Sequence, residues 1–344
     1  MGDMAAKRRR SLATMSDEQL LAMRMCDLGL KVEGTALEDR VEQLYGELEA
    51  RDIRLRPHVW LSDEWFSPDG VPGIALPFYL ADARLMRLEK TMMMHVDGGT
   101  RRTCTRILRH EAGHAVCAAY RLHYRKRWRE IFGRHSEPYP DYYQPRPNSR
   151  RFVLHLDWWY AQAHPTEDFA ETFAVWLNPK SGWRQQYHGW PAMRKLDYVN
   201  ETMKDIAGMT PPVRTRRRVD PISEIRATLG EHYKRKRGIY ATDWPDFYDR
   251  DLRKIFSGDA KHARHEAASA FLRRSRPIIR ERVANWTCEH PYTIDQVLRD
   301  MVDRCRELKL RLAQSERETL MEVNLMVTVQ TMNYLHGGRH RIAL

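Results

Sequence analysis

The stretch "RHEAGHAVCAAY", residues 109–120, constrains the fold more than any other segment of the chain. It is rich in Ala, holds no Pro and follows a turn at Gly98-Gly99, with Thr100 or Thr103 available as a cap, so it reads as a helix. His110 and His114 are four residues apart and share one helical face. Both imidazoles can therefore converge on one metal ion. Glu111 is displaced about 100° round the helix from His110, beside such an ion without being a ligand. A general base acting on an activated water belongs there. Two histidines on a helix prove little alone, because a chain with 15 histidines can reach this spacing by chance. A third ligand must come from elsewhere, and the fold must carry it to this face.

A catalytic zinc takes three protein ligands and keeps one position open. The extended pattern His-Glu-x-x-His-x-x-Gly-x-x-His fails here, because Cys117 and Tyr120 stand at its Gly and third His positions. Cys117 shares the helical face but is expected to pack behind the site. The remaining candidate is the helix "PTEDFAETFAVW", which starts on Pro165 and has acidic residues in its first turn. Glu167 and Glu171 are i and i+4 on it, and Phe169, Phe173 and Trp176 supply an apolar stripe. One carboxylate of the pair can bind zinc while the other accepts the Nδ1 proton of a ligating histidine. Asp168 points about 100° away from Glu167.

Taken together, the two segments resemble gluzincin metallopeptidases. "HEAGHAVCAAY" is similar to the zinc helix of the thermolysin group, sharing His-Glu-x-x-His-Ala-Val. "YAQAHPTEDFAETFA" is similar to the second motif of the lethal-factor-like branch, in which a tyrosine precedes the glutamate ligand by seven residues and a second glutamate follows by four. The resemblance is confined to about residues 70 to 180. It implies one Zn2+ held by His110, His114 and Glu167, with Glu171 as the outer carboxylate. It also implies Glu111 as general base and Tyr160 as a hydrogen-bond donor to the tetrahedral intermediate. The activity implied is zinc-dependent hydrolysis of a protein or peptide substrate through a zinc-activated water.

Charge and cysteine usage bound the alternatives. The chain has a net charge of +12, with basic runs at Arg125-Lys126-Arg127, Arg214 to Arg218, Lys234 to Arg237 and Arg273-Arg274. A solvated arginine-rich surface is the expectation, and no recognisable nucleic-acid module accompanies the runs. The competing functional reading is a basic nucleic-acid-associated or scaffold protein, meeting nucleic acid or an acidic partner, with a structural or inactive zinc site. No apolar run approaches the eighteen or so residues of a membrane span. The basic start "MGDMAAKRRRSLATMSDEQ" lacks the apolar stretch of a secretory signal, and Ala6 breaks the myristoylation pattern. The five cysteines are scattered, without a Cys-x-x-Cys pair, so reduced thiols and a cytoplasmic location are expected.

The expected fold is α+β, mainly helical: a zincin-like domain over residues 16–190 after a basic, disordered stretch 1–15, then a helical C-terminal domain over 191–344. Capping boxes mark helices at "SDEQLLAMRMCDLGL" and "TALEDRVEQLYGELEA". "IRLRPHVWLS", "GIALPFYLADARL" and "FVLHLDWWY" read as strands. Pro77 places the second strand at an edge, and an extended substrate would add along Ile74 to Leu80. Arg121 to Arg151 reads as a long surface excursion of the kind that is often functional. In "TIDQVLRDMVDRCRELKLRL", one helical stripe carries Ile294, Leu298, Met301, Cys305, Leu308 and Leu312. Ser315 with Glu318 starts a last helix. The echo "RHEAASA" has Ser269 in place of a second histidine, which leaves His262 and His265 as surface residues.

Overall fold

The structure, a computed structural model, describes residues 12–140, 142–240, 248–334 and 342–343. It is mainly helical; among the described residues the strands form three two-stranded sheets. Two compact units are present. Among the described residues, one is built on the chain up to Met92, on Val96–Lys234 and on Ile342-Ala343; the other is built on Met93–His95 and on the described residues from Arg235 to Tyr334. The basic cluster Lys7–Arg10 lies outside the described residues, whereas Leu12 is buried. Among the described residues no helix is long and apolar enough to cross a membrane. The five cysteines form no disulfide.

In the first unit, capping sets the helix starts. Ser16 and Gln19 form a reciprocal box at α1 (Asp17–Leu21). The Thr35 hydroxyl accepts from Leu37 N at 3.2 Å to open α2 (Ala36–Glu49), which buries Leu37, Val41, Leu44 and Leu48 along one face. β1 (His58–Ser62) and β2 (Gly73–Pro77) pair in parallel, with His58 opposite Gly73 and Ser62 opposite Pro77. Gly73 is required by that contact, since a Cβ there would lie 2.4 Å from the His58 ring.

β2 offers no edge to a substrate, contrary to expectation. All five of its residues are buried. On the side away from β1, Ala75 N–H donates to Phe66 O at 2.8 Å. Beyond Pro77 the chain leaves the extended conformation for a 3-10 turn, Phe78–Ala81. Pro77 marks the end of a strand rather than its exposed flank.

Three helices follow: α3 (Ala83–Met93), α4 (Arg101–Ala119) and α5 (Lys126–Phe132). α5 lies within the expected surface excursion, but Trp128 and Phe132 turn inward and are buried. Phe152 to Trp159 is not a strand. Its polar backbone groups pair with side chains: Leu154 N donates to Tyr187 Oη at 2.9 Å and Leu156 N to Glu171 Oε2 at 2.8 Å. Trp158 and Trp159 adopt left-handed φ values of 63° and 55°, which ends extended structure before the turn Tyr160–Gln162.

α6 (Pro165–Leu177) is buried along nearly its whole length. It is followed by α7 (Trp183–Gln186), α8 (Met193–Ile206) and α9 (Leu229–Ile239). Behind α6 an aromatic cluster joins three helices, with Trp128 and Phe169 ring centroids 5.9 Å apart and Phe132 and Tyr198 5.8 Å apart. Full burial of each such side chain contributes about 1.5–3 kcal/mol, so this cluster holds α6 rigidly in place.

The second unit is helical: α10 (Asp249–Ile255), α11 (Ala268–Thr287), α12 (Pro291–Glu307) and α13 (Glu316–Tyr334). Ile294, Leu298, Met301 and Cys305 line its core from α12. The stripe does not continue helically to Leu312. α12 ends at Glu307, Lys309 takes a left-handed φ of 53°, and Leu312 enters the core from a short strand paired with Phe256–Ser257. Ser315 bonds Glu318 at the start of α13, as expected. Of the echo motif, His265 is exposed and His262 half-buried.

Candidate metal centre

α4 is anchored at its start and near its middle. Thr100 and Thr103 form a reciprocal cap at its start. Arg109 grips Glu47 of α2 through Nε and Nη2 at 2.7 and 2.6 Å, a bidentate pair that is largely buried. With its rotation set, α4 turns His110 and His114 toward α6. Gly113 sits between them and permits the approach, because a Cβ at that position would lie 2.8 Å from Ala170 Cα. The backbones of α4 and α6 therefore pack almost directly on one another.

That approach brings three donor atoms together. His110 Nε2 lies 2.9 Å from Glu167 Oε2, and His114 Nε2 lies 3.1 Å from both of these atoms. Metal–ligand distances of about 2.0–2.2 Å in a tetrahedron place ligands about 3.3–3.6 Å apart, so a small outward adjustment would admit the ion. His110, His114 and Glu167 form a group that could hold a metal among the described residues. The set of two imidazoles and one carboxylate suits zinc, and its three members leave a fourth position for water or substrate.

Glu171, one turn further along α6, is fully buried and does not join this triangle. Its Oε1 accepts from His110 Nδ1 at 2.8 Å, and its Oε2 accepts from Leu156 N. The bond at Nδ1 leaves the Nε2 lone pair of His110 facing the other donors. Burial alone would raise the Glu167 carboxyl and lower the His110 imidazolium. The histidine–carboxylate contacts outweigh it in both cases, holding Glu167 well below its usual range and His110 well above. Such a cluster binds either a proton or a cation, which is the electrostatic requirement for a metal site.

Glu111 lies beside the triangle without entering it. Its residue is buried, and its Oε2 has no hydrogen-bond partner among the described residues. The Ser67 hydroxyl donates to its backbone carbonyl at 3.1 Å. A buried carboxylate oxygen without a partner is costly unless something else occupies the space beside it. Tyr160 packs on His110, with ring centroids 5.5 Å apart. Burial pushes its phenol up, and the charges of Glu167 and Glu111 add to the effect, so Tyr160 stays an O–H donor. Cys117 packs behind the site, its Sγ 3.6 Å from His123 Nδ1, and burial pushes its thiol up to about 12.

Two features escaped the sequence reading. Asp168 does more than decorate a helix end: it is buried and paired with Lys195 Nζ of α8 at 2.6 Å. Tyr139, from the segment before α6, donates to Glu167 Oε1 at 2.7 Å. The length of the excursion points to a functional segment, but nothing periodic singles out Tyr139 within it.

Comparison with known proteins agrees with this geometry. Residues 81–188 match the family described as "Putative zinc-binding metallo-peptidase". The matched stretch runs from the end of the Phe78–Ala81 turn through α7 and contains both α4 and α6. The match is a similarity of this stretch to that family, and the zinc-binding character in its description is compatible with the His110–His114–Glu167 group. No curated protein and no solved structure matches the chain.

Proposed function

We propose that the protein is a zinc-dependent metallopeptidase that hydrolyses peptide bonds in a protein or peptide substrate. The observation that carries the reading is the convergence of His110 Nε2, His114 Nε2 and Glu167 Oε2 within 3.1 Å, next in sequence to Glu111, whose buried Oε2 has no hydrogen-bond partner among the described residues. His110, His114 and Glu167 would hold one zinc ion, with Glu171 orienting His110. Zinc, when bound, polarises the scissile carbonyl and acidifies the attacking water. Glu111 takes the proton from that water and delivers it to the leaving amine. Tyr160 donates its hydroxyl to the oxygen on which negative charge develops. The gluzincin assignment and the lethal-factor-like character of the second motif belong to this proposal. So does a zincin-like catalytic domain in the first unit, with the second unit as an appended helical domain.

The competing reading, a basic nucleic-acid-associated scaffold with a structural or inactive site, is not favoured. A structural zinc is closed by four protein ligands, whereas three donors meet here among the described residues. Arg214, Arg216, Arg217 and Arg218 are exposed, as a solvated surface requires, and nothing supports a nucleic-acid partner. The decisive experiment is elemental analysis of the purified chain, together with hydrolysis of a fluorogenic peptide library. One zinc per chain, with cleavage abolished by a chelator and restored by zinc, is the expected result. A chain that takes up no zinc, or a loaded chain that cleaves nothing in the library or in unfolded protein, would count against the proposal.

A further inference from the structure

The two oxygens of Glu167 have different partners. Oε2 faces the two imidazoles, while Oε1 accepts from the Tyr139 hydroxyl at 2.7 Å. Tyr139 is held in place independently of that bond. Its ring stacks on His164, with centroids 3.9 Å apart and planes 19° from parallel. His164 is itself fixed twice: its Nδ1 accepts from Thr166 N at the start of α6, and its Nε2 donates to Glu137 O at 2.9 Å. The Tyr139 hydroxyl also contacts Thr166 Oγ1. The segment Glu137–Tyr139 is thus stapled to the N-terminus of the helix that carries Glu167. The Tyr139 residue is 52% exposed, yet its hydroxyl reaches a carboxylate that is buried.

We propose that Tyr139 is a positioning residue that keeps Glu167 a one-oxygen ligand, its hydroxyl occupying Oε1 so that only Oε2 is offered to the metal. The inference rests on the zinc-site reading above. A carboxylate on zinc can bind through one oxygen or through both, and the second oxygen would take the position that water or substrate needs. A phenol donating to a charged oxygen makes a strong hydrogen bond, and turning Oε1 toward the metal would break it. Glu167 would then be divided between an oxygen for the ion and an oxygen for the protein.

The test uses the full chain, stripped with a chelator and titrated with Co2+, whose visible d–d band is intense in four-coordinate sites and weak in five-coordinate ones. Zinc affinity is measured in parallel by competition with a chromophoric chelator. The variants are Tyr139→Phe, Glu167→Gln and Tyr143→Phe; Tyr143 belongs to the following segment, and its hydroxyl bonds Trp158 O instead. Tyr139→Phe keeps the ring on His164, so folding, checked by circular dichroism, is retained. Its Co2+ band should weaken as Glu167 closes on the metal with both oxygens, and its zinc affinity should fall about 10–100-fold. Tyr143→Phe should match wild type in both readouts. A wild-type spectrum in Tyr139→Phe overturns the inference whatever the affinity, while leaving the metal centre intact if Glu167→Gln loses the metal. A wild-type chain that binds neither ion overturns the inference and the zinc reading together.

Discussion

Gly113 of the histidine helix packs against Ala170 of the glutamate helix so closely that a single added Cβ would meet Ala170 Cα at 2.8 Å. This contact sets the distance between the imidazoles and the carboxylates. Gly113→Ala should therefore force α4 and α6 apart, at a cost of about 1–3 kcal/mol typical of overpacking. Because Glu167 moves with α6, zinc affinity should fall as well. Urea denaturation of the metal-free chain and chelator competition measure the two effects separately. Retention of both at wild-type values would show that the contact does not govern the site.

The carboxylates of α6 should separate by role. Glu167→Gln should nearly abolish zinc retention, whereas Glu171→Gln, which alters the support of His110 Nδ1 and of Leu156 N, should weaken affinity about 10–100-fold. Competitive chelation on folded protein distinguishes them. A larger loss at Glu171 would reverse the assignment.

Glu111→Gln preserves shape and removes the base. Zinc content should be unchanged and peptide hydrolysis should fall by at least about 10²–10⁴-fold, the usual contribution of a positioned general base. Near-wild-type turnover in zinc-loaded Glu111→Gln would exclude Glu111 from proton transfer.

Tyr160 packs on His110 and keeps its proton. Tyr160→Phe should lower kcat about a hundredfold with zinc content unaltered, as expected for loss of one donor to a developing oxyanion. An unchanged kcat would leave Tyr160 as a packing aromatic.

Asp168 gives a pH-dependent signature. Burial pushes its carboxyl up to about 7 despite the nearby Lys195 ammonium. The folded state then holds this proton more tightly than the unfolded state, where the ordinary value is about 3.9. Between those limits the folded chain binds more protons at this group, so its contribution to stability rises as pH falls from 7 toward 4. Asp168→Asn cannot titrate. Wild type should accordingly gain stability relative to Asp168→Asn as pH is lowered through that window, in urea melts of chelated protein. A difference that does not vary with pH would mean that Asp168 titrates normally.

The sequence alone determined what depends on local period. A 3.6-residue repeat places His110 and His114 on one face with Glu111 beside them, and the same repeat pairs Glu167 with Glu171 on α6. Capping chemistry at Ser16 and Thr100 was legible for the same reason: each cap is settled within one helical turn. Periodicity cannot say which of two carboxylates one turn apart meets the histidines. That depends on how far α6 slides along α4, which the Gly113–Ala170 contact and the aromatic cluster around Phe169 settle through packing. The strand expected at "FVLHLDWWY" failed because its backbone donors found side-chain acceptors in Tyr187 and Glu171, partners distant in sequence. β2 lost its expected edge to a backbone bond, in which Ala75 N donates to Phe66 O. Tyr139 shows the limit most clearly. It lies in a loop without a repeat, and only the stapling of that loop to the start of α6 brings its hydroxyl to Glu167. Tertiary structure decided these matters because hydrogen bonds and close packing between remote segments leave no regular spacing in the chain.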